Sequence, residues 1–175
     1  VERVPLVMVN LDAVPGKANR LMQRWATILM SSAAVADTRY ERMPPIVRRK
    51  MRECPPRDGA LELFDLDAGK LTLLVTGGSQ GARSVNEFVL EAIEELGERF
   101  DRDRWQILHQ CGPSFLAELM RRYTELNVRA HVAEYIQQMP SALACADACV
   151  CRGGAGAIAD LWASRTPALV LPYPG

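Results

Sequence analysis

The stretch LTLLVTGGSQGARSVN, residues 71–86, decides the fold of this chain. Its apolar first half predicts a strand that ends at Gly77-Gly78. After Ser79-Gln80-Gly81 the pattern becomes that of an amphipathic helix over 84–96, with apolar residues spaced for one helical face: Val85, Phe88, Val89, Ala92, Ile93 and Leu96. A strand, a glycine turn and a helix N-terminus in this order predict an anion site. Glycines let the backbone approach a phosphate closely, and unpaired N–H groups at the positive end of the helix dipole face it.

The spacing of these glycines narrows the kind of site. It is GGxxG, which is neither the GxGxxG of dinucleotide-binding folds nor the GxxxxGK[ST] of P-loops. Both of those interpretations therefore lose support. The remaining alternative to an anion site is a glycine-rich turn that serves only tight packing of strand against helix.

The rest of the chain alternates strand and helix, which predicts an α/β fold with a parallel sheet and helices on both faces. Strands are predicted at 71–76, 105–109, 128–133, 148–151 and 168–171, and helices at 84–96, 114–125, 140–145 and 155–164. Ligands of such sheets bind beyond the carboxyl ends of the strands. A second glycine cluster, Gly153-Gly154-x-Gly156, also follows a strand and precedes a helix. We therefore expect the two glycine clusters to converge on one edge of the sheet.

Composition excludes several classes of protein. The chain has 175 residues, 49% of them hydrophobic, with zero net charge and scattered basic residues, so nucleic acid is not expected as a partner. Cys145, Cys149 and Cys151 are spaced unlike a zinc site, and we interpret them as core residues in a reducing compartment. No signal peptide or apolar membrane span is visible in the sequence. A cytoplasmic domain is expected, which leaves room for a peripheral membrane contact.

Both ends of the chain predict a piece of a longer protein. VPLVMV, residues 4–9, has the pattern of a strand in mid-sheet, and the chain stops at PYPG, residues 172–175, directly after a predicted strand. The segment 51–70 is rich in proline and charge and is interpreted as a connection between two units.

Several motifs together resemble the MurG family, the bacterial peptidoglycan N-acetylglucosaminyltransferases of glycosyltransferase family 28. Downstream these are GGSQGAR (77–83) with Asn86, HQCG (109–112), EYIQQMP (134–140) and ADACVCRGGAGAIADLWASRTPALVLPYP (146–174). Upstream, residues 4–26 resemble the end of the family's N-terminal domain, and PIVR (45–48) its crossover into the C-terminal domain. The blocks occur in the family's order and spacing.

This resemblance implies a GT-B architecture of two Rossmann-like domains facing a cleft. Residues 1–48 would end the acceptor-side domain, 49–70 would form the crossover, and 71–175 would be most of the UDP-sugar-binding domain. The implied reaction is an inverting, metal-independent transfer from UDP-N-acetylglucosamine to a lipid-linked muramyl-pentapeptide, with no cofactor. The implied location of the full-length protein is the cytoplasmic face of the bacterial inner membrane.

The resemblance further implies that two loops hold the diphosphate. Ser79 would contact it directly, while Gly78 and Gly81 allow the backbone to come close. The start of the second helix would offer backbone N–H groups from three residues: Ala155, Gly156 and Ala157. The hydroxyl of Ser79 suits a helix N-cap equally well, and the two roles can coexist.

Three more residues match donor-site positions of the family. Arg48 matches an arginine that reaches the phosphates, although a solvated surface arginine is the alternative. Ile136 matches a position whose backbone groups contact the uracil edge, although its side chain alone indicates a core residue. Asp160 matches a glutamate that hydrogen-bonds the ribose, the alternative being an exposed helical aspartate. His109 we expect to be structural, or near the site, and not the catalytic base.

The chain also departs from the family pattern. Asp160 replaces a glutamate, Gly153 and Ala157 replace hydroxyl-bearing residues, and Val9–Asp12 replace a His-Glu-Gln-Asn stretch. These changes suit either a divergent enzyme or a family 28 paralogue with a different lipid acceptor. A nucleotide-sugar-binding module without turnover is the alternative outside the enzyme class. The candidate base of the family would precede Val1 and its last donor loop would follow Gly175. We therefore expect this piece alone to be inactive.

Overall fold

The structure is a computed structural model that describes residues 4–78 and 83–172. The chain divides into two compact units, Val1–Val47 and Arg48–Gly175.

The first unit is built on three parallel strands in the order β1-β2-β3. These are β1 (Val7–Asn10), β2 (Ile28–Ser31) and β3 (Glu41–Arg42), and helix α1 (Lys17–Met22) connects the first two. The predicted strand at 4–9 begins only at Val7. Buried Asn10 donates to the Ser31 hydroxyl at 3.0 Å and accepts from the Asn19 amide at 3.0 Å, which ties both strands and the helix together.

The second unit is a five-stranded, fully parallel sheet in the order β6-β5-β4-β7-β8. Its strands are β4 (Leu71–Thr76), β5 (Trp105–Gln110), β6 (Ala130–Ala133), β7 (Ala148–Arg152) and β8 (Ala168–Leu171). Its helices are α2 (Arg57–Leu63), α3 (Arg83–Leu96), α4 (Leu116–Glu125), α5 (Met139–Cys145) and α6 (Ala155–Ser164). The predicted alternation is confirmed.

Within the second unit, the bounds that differ most from the predicted ones are the start of α4 and the start of β6. The helix begins two residues later than predicted, after Ser114, whose φ of 73° is incompatible with a right-handed helix. Beyond its end Asn127 is also left-handed, with φ 51°, and the Val128 N–H closes back on the Tyr123 carbonyl at 2.9 Å. Val128 therefore belongs to the end of the helix, and β6 starts at Ala130.

The two faces of this sheet are covered by different helices. Helices α3 and α4 pack on one face around an apolar core that includes Val75, Ile107 and Val150. Helix α5 packs on the other face, between α2 and α6. The predicted crossover 49–70 contains a 3₁₀ turn, Arg49–Arg52, and helix α2.

An ion pair attaches α2 to the sheet at the end opposite the glycine turns. Arg57 donates to the carboxylate of Asp147 at 2.8 Å and to the Cys145 carbonyl at 2.9 Å. The same Asp147 carboxylate accepts the backbone N–H of Thr72 at 2.8 Å. These bonds join α2, the end of α5 and the start of β4.

His109 is a structural residue of the core between α3 and α4. Its Nε2 lies 3.0 Å from Asn86 Oδ1, and its Nδ1 lies 2.8 Å from the Tyr123 hydroxyl. The Asn86 amide nitrogen is already committed to the Cys111 carbonyl, so its oxygen faces the ring. His109 therefore has its proton on Nε2 and accepts the Tyr123 hydroxyl on Nδ1. Burial lowers the pKa of His109 to about 3, which fixes the neutral form.

This depressed pKa predicts a loss of stability in mild acid. Between the ordinary pKa of 6.5 and the folded value of about 3, the unfolded chain binds a proton that the folded chain does not. The free energy of unfolding should therefore fall by about 2 kcal/mol between pH 7 and pH 5 through this residue alone. Urea denaturation of the parent and of His109→Gln at both pH values measures it. His131→Gln, which removes the other histidine, should keep the pH slope; an identical slope in His109→Gln would contradict the assignment.

Candidate functional site

A cavity of about 350 Å³ lies where β4 and β7 end. These strands are neighbours in the sheet, so the two glycine clusters converge on one edge as predicted. The cavity is on the face covered by α5, opposite the His109 core. Its lining comes from Arg48, the ends of three strands, the segment 135–139 and the first turns of α6. Its volume is within the range of small-molecule sites.

Gly78 forms the turn that leaves β4. Its φ of 89° is a left-handed conformation that glycine adopts without strain. A Cβ at this position would meet nothing within 4 Å, so the backbone conformation, and not crowding, is what requires glycine. The Gly78 N–H donates to the Thr76 hydroxyl at 3.3 Å, and its carbonyl accepts from the Gln110 amide at 2.7 Å. Ser79 and Gly81 lie outside the described residues.

The N-terminus of α6 opens into the same cavity. The helix begins at Ala155, as predicted, after Gly154, which is extended and offers no side-chain cap. Gly156 and Ala157, in the first turn, line the cavity. This end of the helix therefore presents first-turn N–H groups and a positive dipole end to whatever occupies the cavity. A Cβ at Gly153 would lie 3.2 Å from a Val170 methyl group, so a larger residue at this position would require Val170 to shift.

Arg48 and Asp160, both predicted as donor-site residues, form an ion pair at the cavity. The Arg48 guanidinium donates to Asp160 Oδ2. The Asp160 side chain is 8% exposed and that of Arg48 is 61% exposed. The alternative of an exposed helical aspartate is therefore wrong. Arg48 is thus open to solvent yet paired with a carboxylate that is almost fully buried.

Ile136 is buried, as its side chain alone indicated, and it is one of the residues that line the cavity. Its N–H donates to the side-chain oxygen of Gln110 at 2.9 Å. The Ile136 N–H therefore already has a hydrogen-bond partner within the protein. Tyr135 and Gln137 flank it and also line the cavity.

Arg152 is a lining residue that the sequence interpretation missed. It ends β7 and is 7% exposed. Its guanidinium donates to the Ser84 hydroxyl on α3 and to the carbonyls of Leu171 and Pro172. A cation is therefore held between the start of α3 and the end of β8. The signal was present in the sequence, since an arginine that ends an apolar strand just before two glycines falls at the predicted anion edge.

Cys149 and Cys151 form part of the wall of the cavity on β7. Both are buried, which confirms them as core residues. The neighbouring Cys151 thiol, together with burial, raises the pKa of Cys149, and the same neighbour relationship lowers the pKa of Cys151. Over residues 4–78 and 83–172, no cluster of three or more His, Cys, Asp or Glu side chains could hold a metal ion.

Among the helices of the described segments, none has the length and apolarity needed to cross a bilayer.

Comparison with known proteins identifies relatives along the whole chain. Residues 72–175 match the model of the glycosyltransferase family 28 C-terminal domain. A UDP-N-acetylglucosamine–N-acetylmuramyl-(pentapeptide) pyrophosphoryl-undecaprenol N-acetylglucosamine transferase from Syntrophotalea carbinolica is 36% identical, over 99% of this chain and 47% of its own length. The protein of the same name from Clavibacter sepedonicus is 38% identical, over 98% of this chain and 46% of its own length.

A solved structure has a similar fold. The crystal structure of Acinetobacter baumannii MurG superposes with a TM-score of 0.70 at 24% identity, covering 98% of this chain and 46% of that one. The chain spans about half the length of the curated relatives it matches. The family model covers more than half of the chain, including both glycine turns and α6, and the chain therefore belongs to glycosyltransferase family 28.

Proposed function

We propose that residues 71–175 are the donor-binding part of an inverting N-acetylglucosaminyltransferase that uses UDP-N-acetylglucosamine. The supporting observation is the convergence of the Gly78 turn, the uncapped start of α6 and two arginines on one cavity. A site built from N–H groups, a helix dipole and guanidinium groups suits a diphosphate. The names of the curated relatives supply the sugar nucleotide and the acceptor class.

In the proposed reaction an acceptor hydroxyl attacks the anomeric carbon of the sugar from the face opposite UDP. The new C–O bond forms as the bond to the β-phosphate oxygen breaks, the hydroxyl proton goes to a base, and UDP leaves. Negative charge grows on the diphosphate, where fixed donors stabilise it better than water does. The start of α6 supplies about 0.3–1 kcal/mol per charge, and up to about 2 kcal/mol when partly buried. Arg48 and Arg152 add positive charge to the same cavity.

The nucleoside is proposed to lie between the segment around Ile136 and Asp160. The Ile136 N–H is engaged by Gln110, so we assign contact with the uracil edge to the Ile136 carbonyl. Asp160 would accept hydrogen bonds from the ribose hydroxyls, with Arg48 orienting its carboxylate. Ser79 and Gly81 remain predictions for the diphosphate, together with the N–H groups of the α6 start.

The proposed acceptor is a lipid-linked muramyl-pentapeptide at the cytoplasmic face of the inner membrane, reached by peripheral contact. The first unit, residues 1–47, would belong to the acceptor side. A different lipid acceptor is the second candidate, and one observation favours it. Asn10 lies in the stretch that departs from the family, and its amide is occupied by Ser31, Asn19 and the Asp12 carbonyl. Acceptor chemistry in that stretch would therefore differ.

Two measurements test the proposed function. Calorimetric titration of the 175-residue chain should show binding of UDP in preference to ADP and GDP. The complete polypeptide that contains this chain should transfer radiolabelled N-acetylglucosamine to a lipid-linked acceptor. Binding without selectivity for uridine would overturn the donor assignment. Selective UDP binding without transfer to any lipid-linked acceptor would leave a nucleotide-sugar-binding module.

The Gly78 turn gives a mutational prediction. Gly78→Val forces a β-branched residue to φ 89°, at a cost of about 1–3 kcal/mol, and displaces the turn that approaches the diphosphate. UDP should then no longer raise the melting temperature. Gly97→Val is the matched control, because Gly97 also has a positive φ of 55° and open space but lies at the other end of α3. A UDP-induced shift that survives in Gly78→Val would return this turn to a packing role.

Asp160 gives a second prediction. Asp160→Ala should weaken UDP binding by roughly 1–3 kcal/mol, the usual loss of a charged hydrogen-bond partner, whereas Asp160→Glu should be tolerated because it restores the reach of the family's glutamate. Glu53→Ala is the control, since it breaks the exposed ion pair of Glu53 with Arg49 and should leave UDP affinity unchanged. Equal affinities of the parent and Asp160→Ala would remove Asp160 from the donor site.

A further inference from the structure

Gln110 connects two parts of the cavity: the turn proposed to bind the diphosphate and the segment proposed to bind the uracil. Its side chain is 2% exposed, at the carboxyl end of β5. Its amide nitrogen donates to the Gly78 carbonyl at 2.7 Å and to the Thr76 hydroxyl at 3.2 Å. Its amide oxygen accepts the Ile136 N–H at 2.9 Å. One primary amide therefore joins the turn after β4 to the segment after β6.

These bonds are of the kind that fixes a backbone in one place. The Gly78 N–H also donates to the Thr76 hydroxyl, but the left-handed conformation of Gly78 is one of several that glycine can adopt. The segment 134–138 carries no regular secondary structure. The buried Gln110 amide holds both segments with its three bonds. Loss of the bonds to the Thr76 hydroxyl and the Ile136 N–H would leave buried polar groups without partners.

We infer that Gln110 is a positioning residue that couples the diphosphate-binding turn at Gly78 to the base-binding segment at Ile136. This inference rests on the proposed function and adds to it. Gln110 acts through the backbone groups it holds, and both its nitrogen and its oxygen are used for that purpose. The consequence is that a ligand spanning both segments should depend on Gln110 more strongly than a ligand that contacts only one.

A matched control lies four residues earlier on the same strand and the same face. Gln106 is fully buried, and its amide nitrogen donates to the Thr72 hydroxyl at 3.1 Å and to the Asp67 carbonyl at 2.8 Å. Its oxygen accepts the Asp67 N–H at 2.9 Å. Gln106 thus makes the same three types of bond as Gln110, but at the opposite edge of the sheet. A substitution at Gln106 therefore measures the stability lost with a buried amide, without changing the geometry of the candidate site.

The test compares UDP and uridine binding to the 175-residue chain and its variants by calorimetric titration. Gln110→Met has a similar length and no polar group, and it should weaken UDP binding about tenfold or more. Gln110→Glu keeps an oxygen for the Ile136 N–H but, when ionised, cannot donate to the Gly78 carbonyl. It should retain uridine affinity while losing the extra affinity that the diphosphate gives UDP. Gln106→Met should lower the urea midpoint by a similar amount and leave both affinities as in the parent.

The outcomes separate the inference from the proposed function. A parent chain that binds UDP, together with a Gln110→Met variant of equal affinity, overturns the coupling and leaves the donor site in place. Equal losses of UDP affinity in Gln106→Met and Gln110→Met would assign both residues to stability alone. A parent chain that binds neither UDP nor uridine overturns the proposed function and the coupling with it. If Gln110→Met does not fold, the ratio of UDP to uridine affinity in Gln110→Glu decides the matter.

Discussion

Parallel pairing of all five strands in the second unit is the constraint from which its cavity follows. In such a sheet every strand ends at the same edge, and the backbone groups beyond that edge no longer have ladder partners. The first N–H groups of the following helix are also unpaired, because no helical carbonyl precedes them. Because β4 and β7 are neighbours, two such ends meet. The cavity therefore lies where backbone N–H and C=O groups without partners are available to hydrogen-bond a ligand.

Side chains add charge and fixed geometry to the backbone groups of the cavity. Gly78 supplies a turn without a Cβ, Arg152 and Arg48 supply positive charge, and Gln110 fixes the spacing of two loops. His109, one residue before Gln110, points to the opposite face and is neutral within the core. The period of two in a strand thus divides neighbouring residues of the HQCG motif between a structural network and the candidate site. A histidine next to a site is not for that reason a base.

The sequence predicted the order and type of the elements from β4 to β8, because alternating apolar strands and amphipathic helices are local patterns. It also predicted Gly78 and the start of α6, which depend on turn chemistry within a few residues. It did not predict helix α2, which lies within the segment interpreted as a connection. The Arg48–Asp160 pair and the bonds of Gln110 depend on contacts across the fold. Periodicity contains no information about such pairings. Resemblance brought Arg48 and Asp160 forward as separate site residues, but their contact appears only once α6 and the turn at 49–52 are placed together.

The two glutamines of β5 also bear on how the strands find their register. Helices cover both faces of β4 and β5. A one-residue slip between these strands would therefore keep apolar side chains buried on either face, and it would cost less than in a sheet with one exposed face. Thr72 faces Gln106 and Thr76 faces Gln110 in the observed pairing. A slip would move both amides against the apolar α3 and α4 face, at about 1–3 kcal/mol for each unsatisfied group. The polar pairs at the two ends of these strands thus favour the observed register, which apolar side chains alone would specify only weakly.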